Sequence, residues 1–82
     1  MKIQIYGKGC SKCDRLMANV RGVLAEANRE DVEVEFVKDL DRIAALGPTM
    51  TPVLIVDGTM LSQGLAMSPN RVRDLLKPYL GS

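Results

Sequence analysis

The apolar pattern changes period across residues 7–11, and that change restricts the fold more than any other feature of the chain. Before it, Ile3 and Ile5 fall on one side while Lys2, Gln4 and Tyr6 fall on the other, the period-two pattern of a strand. After it, Cys13, Leu16, Met17, Val20, Val23, Leu24 and Ala27 recur at helical spacing to about Asn28. Gly22 weakens that helix by roughly 1 kcal/mol relative to Ala, which so long a stripe tolerates. Gly7 and Gly9 stand at the junction and give the backbone freedom to turn. Alternation returns in Val32-Glu33-Val34-Glu35-Phe36-Val37. A strand, a helix and a strand in succession form a βαβ unit with parallel strands and a right-handed crossover.

The second half supplies different pieces. Residues Asp39 to Leu46 read as a short helix with Leu40, Ile43, Ala44 and Leu46 as its buried side, stopped by Gly47-Pro48. Thr51-Pro52 precedes Val53-Leu54-Ile55-Val56, a run apolar on both faces, as in a central strand. Pro52 stands at its first position, where no ladder bond is lost. Asp57-Gly58 signals a hairpin, Thr59 to Ser62 returns, and Gly64 breaks the strand. Ser68-Pro69 caps a last helix with the stripe Val72, Leu75, Leu76, Tyr79 and Leu80, ended by Pro78 and Gly81. The order β-α-β-α-β-β-α predicts one α/β domain over residues 1–82, a four-stranded mixed sheet with three helices on its two faces.

Composition narrows the function classes. With 46% hydrophobic and 26% charged residues the chain is globular rather than disordered. Eleven basic and ten acidic residues leave a net charge of +1, which gives no support to a nucleic-acid or membrane-surface partner. No apolar run approaches the roughly 20 residues of a membrane span. The N-terminus lacks the apolar stretch of a secretory signal, so a cytoplasmic location is expected. Thiols are kept reduced there, and a close cysteine pair is then catalytic or metal-binding rather than a structural staple.

Both cysteines lie in Gly9-Cys10-Ser11-Lys12-Cys13, at the strand-to-helix junction. A thiolate is the attacking form of cysteine, and a helix N-terminus favours an anion through unpaired N–H groups and the helix dipole. Lys8 and Lys12 add positive potential, so Cys10 is expected to have a lowered pKa. Cys13, on the apolar stripe, is expected to titrate higher. The same pair also suits a metal module. Two thiolates hold Cu(I), and a dimer could share zinc or an iron–sulfur cluster, although a closed zinc site needs four ligands and the chain has no His. A third reading is a non-catalytic adaptor that binds a partner beside Thr51-Pro52. Tyr6 reads as a packing residue and the methionines as core filler, with Met50 beside the site.

Element order, the Cys10-Ser11-Lys12-Cys13 motif and the distant Thr51-Pro52 ahead of a buried strand and an Asp-Gly hairpin together resemble the thioredoxin fold in its minimal, glutaredoxin-like form. The Lys2-Ile3 strand and Tyr6-Gly7-x-Gly9-Cys10 are similar to the small redox-active disulfide proteins of archaea and bacteria. The resemblance implies a thiol–disulfide oxidoreductase with Cys10 as exposed nucleophile and Cys13 as buried resolving thiol. It implies a cis bond before Pro52, beside the dithiol. It places substrate contacts at Gly9, Ser11, Lys12, Thr51, Pro52 and Gly64. The implied partners are a protein disulfide and a reductant, either thioredoxin-reductase-like or a dithiol donor. No cofactor or metal is implied, and a monomer is expected. The sequence departs from thioredoxins in having Gln4 where a buried acid is usual, Gly9 in place of the Trp, and Ser11-Lys12 between the cysteines. The glycine pair and acid that bind glutathione in glutaredoxins reduce to Gly64 and Ser68.

Overall fold

A computed structural model describes residues 1–9, 11–29, 31–48 and 50–80. The elements are β1 (Lys2–Tyr6), α1 (Ser11–Glu26), β2 (Glu33–Val37), α2 (Leu40–Ala44), β3 (Val53–Val56), β4 (Thr59–Gln63) and α3 (Pro69–Leu76). The strands form one sheet in the order β2-β1-β3-β4. β1 pairs parallel with β2, Ile3 opposite Val34 and Tyr6 opposite Val37, while β3 is antiparallel to both β1 and β4. This is the mixed sheet expected of the thioredoxin-like α/β fold.

The sheet has a core on each face. Ile3, Ile5, Leu54 and Val56 meet Leu16, Val20 and Val23 of α1 and Val72 and Leu76 of α3. On the other face Tyr6, Val37, Val53 and Ile55 pack with Ile43 of α2. All four residues of β3 are buried, because helices cover both of its sides. Asp57 and Gly58 take positive φ, 49° and 84°, as a tight hairpin turn requires. Lys2 N donates to Asp57 Oδ1 at 2.8 Å and Asp57 N donates to Lys2 O at 2.9 Å, tying that turn to the start of β1.

Helix ends follow local chemistry. Asn28 takes φ of 56°, and Arg29 N donates to Leu24 O at 2.9 Å, which closes α1 two residues earlier than its apolar pattern suggests. Ala27, placed on the stripe by spacing, is therefore exposed. Asp39 caps α2, its carboxylate accepting from Asp41 N at 2.9 Å, and Ser68 caps α3 with Pro69 in the first turn. The buried side expected for α2 needs correction. Only Ile43 is buried; Leu40 is 63% exposed, Ala44 is exposed and Leu46 is partly covered. A helix of five residues presents little more than one turn, so one side chain reaches the sheet. The methionines also divide: Met67 is buried, whereas Met50 and Met60 are exposed and fill no core. The expected stop at Gly81 lies outside the described residues. Among the described residues no helix is long and apolar enough to cross a membrane.

Candidate redox site

The sheet topology determines where the motif residues meet. Tyr6 at the end of β1 lies opposite Val37 at the end of β2 and Val53 at the start of β3. The segments beyond those three ends, at residues 7–9, 38–39 and 51–52, therefore share one edge of the molecule. Cys10, the expected nucleophile, lies outside the described residues. The residues on either side of it in sequence, Gly9 and Ser11, are exposed, as are Lys8 and Lys12.

Cys13 sits in the first turns of α1 and is fully buried. Its sulfur lies directly against the backbone of Gly7, where a Cβ would fall well inside contact distance of Sγ and 3.1 Å from Cys13 Cβ. Gly7 is buried, and its N–H donates to Val37 O at 3.0 Å, extending the ladder one residue past β1. Gly7 is thus needed for close approach rather than for a turn, a role spacing alone did not show. Gly9 is the turn residue, with φ of 84°.

At the entrance to β3, the Thr51–Pro52 peptide bond is cis, as the resemblance implies. Pro52 is buried and Thr51 half-buried. Pro52 O accepts from Gly64 N at 2.9 Å, so the Gly64 amide is committed within the fold. Gly64 has φ of 76°, and a Cβ there would come 3.2 Å from Met50 Cβ. Met50 N in turn donates to Gln63 Oε1 at 3.0 Å. These bonds brace the segment around Thr51. A groove of about 310 Å³ runs from Lys8 to Thr51 over Leu40, Ile43, Ala44, Gly47 and Pro48. The exposure of Leu40 and Ala44, unexpected for a core helix, supplies this groove's apolar wall.

Gln4, at the position of the usual buried acid, is on the α2 face and donates through Nε2 to Glu35 Oε1 at 3.0 Å. Glu35 also accepts from Arg42 at 3.1 Å, and these two donors, Arg42 foremost, hold its carboxyl down to about 2. Tyr6 is buried under the Arg42 guanidinium, 5.8 Å from its ring, a packing role. One further cation belongs to this edge. Lys38 Nζ lies 5.2 Å from the centroid of the Phe36 ring and 3.8 Å from where a Cβ on Gly9 would stand. Sequence inspection missed it because Lys38 reaches Gly9 only through the parallel pairing of β1 and β2.

A buried cysteine in the first turns of α1 and a cis proline at the entrance to β3, on this sheet, are features of a thioredoxin-fold domain. The chain belongs to the thioredoxin domain family, which it matches over residues 1–77. It is 40% identical over 76 residues to the thioredoxin of Methanothermobacter thermautotrophicus, covering 93% of this chain and 97% of that one. It is 32% identical over 78 residues to the thioredoxin of Methanocaldococcus jannaschii, covering 95% and 88%. Family and relatives support a redox function of thioredoxin type and do not favour the metal-carrier alternative.

Proposed function

We propose that this chain is a thiol–disulfide oxidoreductase that works through Cys10 and Cys13. The observation that carries the reading is the placement of Cys13: a buried sulfur against Gly7 at the start of α1, three residues after the partner thiol. Its substrates are protein disulfides, and its electrons come from a dithiol donor or a thioredoxin-reductase-like enzyme. The Cys10 thiolate attacks one sulfur of the substrate disulfide. A Cys10–substrate disulfide forms as the substrate S–S bond breaks, and the first substrate sulfur leaves as a thiolate. The Cys13 thiolate then attacks Cys10 Sγ. The Cys10–Cys13 disulfide forms, the mixed disulfide breaks and the second substrate sulfur leaves. Two electrons have passed to the substrate, whose two thiolates take up protons. Helix dipole and lysines lower the Cys10 pKa, and the Lys8-to-Thr51 groove receives the segment bearing the disulfide.

Reduction of insulin disulfides by a dithiol donor tests this. The parent chain should turn over, Cys10→Ser should be inactive, and Cys13→Ser should accumulate a mixed disulfide on Cys10. A Cys10→Ser chain as active as the parent would remove the assignment.

A further inference from the structure

We infer that Lys38 acts with Lys8 and Lys12 as a cationic rim that selects disulfides carrying negative charge beside the reacting sulfur, an inference that rests on the dithiol reading above. Three observations support it. Lys38 comes from β2's exit and not from the motif, yet its ammonium stands beside Gly9, the residue bonded to Cys10. The Phe36 ring beneath it restricts where that charge can go. None of Lys8, Lys12 and Lys38 is engaged in an ion pair among the described residues, a state they share with Arg15, Arg21, Arg71 and Lys77, but these three follow or precede the strand ends that meet at this edge.

Acids also stand at this edge. Asp39 turns its carboxylate to the N–H of Asp41, as the cap of α2. Asp41 follows on α2, and Asp14 stands in the first turn of α1, both exposed. Among the described residues lining the groove, Lys8 is the charged one, with Thr51 also in the lining. The occupant that fits this arrangement is a segment with an acidic residue next to its disulfide cysteine. In the exchange step the cations stabilise both the approaching carboxylate and the sulfur charge, with no change in which bonds form and break.

The test compares two small disulfides of opposite charge, dithiobis(2-nitrobenzoate) and cystamine, reacting with the reduced full chain and followed by loss of reduced protein. Thiolate fraction and intrinsic nucleophilicity affect both reactions alike, so the ratio of their rate constants reports the field alone. At low salt Lys38→Gln should lower the anion-to-cation ratio about threefold, as expected for one charge several ångströms from a solvated site. Lys38→Arg should keep the ratio. Lys77→Gln should also keep it, because Lys77 lines a cleft with Glu26 and Ala27 at the far end of α1. The difference should vanish near 1 M salt. An unchanged ratio in Lys38→Gln overturns the inference, and so does an equal fall in Lys38→Arg. If neither probe reacts, or Cys10→Ser reacts as fast as the parent, the dithiol reading fails and takes this inference with it.

Discussion

Replacing Gly7 by Ala puts the packing of the Cys13 sulfur to a direct test. The new methyl would overlap Cys13 Sγ and come 3.1 Å from Cys13 Cβ, where ordinary contact begins near 3.4 Å. Both residues are buried, so neither can move out into solvent. Overpacking of this kind costs about 1–3 kcal/mol, and an overlap with a fixed sulfur belongs at the upper end. Gly7 is not among the residues with positive φ, so Ala adds no backbone strain and recovers about 0.4–1 kcal/mol by stiffening the unfolded chain. The net expectation is a loss of about 2 kcal/mol, or roughly 8–16 °C in Tm for a domain of this size. In a Cys13→Ala background the sulfur is gone and only the Cβ approach remains. Gly7→Ala should then be nearly neutral, giving a coupling of about 2 kcal/mol in a double-mutant cycle. The assay is urea unfolding of the four chains under reducing conditions. Stabilities that add to within about 0.5 kcal/mol would refute the reasoning, because they would mean that the two side chains do not compete for the same space.

Three other outcomes are expected. Glu35 is held at about 2 from an ordinary 4.5, so between those values the unfolded chain binds the extra proton and stability falls as pH falls. Glu35→Gln should flatten that part of the acid limb in urea midpoints measured against pH; an unchanged slope would contradict the Arg42 and Gln4 contacts. Asp39→Ala, which removes the cap bond of α2, should cost about 1 kcal/mol and be largely restored by Asp39→Ser. Leu76→Ala, at a fully buried position in the α1–α3 core, should cost about 2–5 kcal/mol by thermal unfolding, against a near-neutral Leu65→Ala at a 58% exposed one.

The sheet was legible because its strands carry their burial in their own sequence. β1 alternates, β3 is apolar throughout as an interior strand must be, and Asp57-Gly58 takes the two positive φ values that its residue types favour. α1 was legible for the same reason, its buried side chains recurring over about three turns. α2 was not. Leu40, Ile43, Ala44 and Leu46 fit a helical face, but the helix stops at Ala44 and turns only Ile43 fully into the sheet, and Leu40 and Ala44 became the wall of the groove. Within the site, Cys13 on the stripe and the cis proline followed from the motif and its resemblance. Gly7 and Lys38 did not, because each acts through a neighbour distant in sequence or across a helix turn, which periodicity does not encode.

The collection of site residues at one edge is a consequence of strand direction. A parallel β1–β2 pair puts both carboxyl ends on the same side, and the antiparallel β3 brings its amino end to meet them. The turn before α1, the exit of β2 and the Thr51–Pro52 entrance to β3 then converge, although Gly9 and Thr51 are some 40 residues apart. The pairing of β2 with β1 is constrained by burial against a slip of one residue. Slipping β2 by one residue against β1 would turn Val37 out of its core and Lys38 inward, at the cost of an unpaired buried charge. Slipping it by two would keep the faces but carry the ammonium about 7 Å along the strand, away from Gly9. The packing of Tyr6, Val37 and Ile43 on the α2 face thus does more than stabilise the sheet: it fixes the distance between a lysine and the peptide that leads into Cys10.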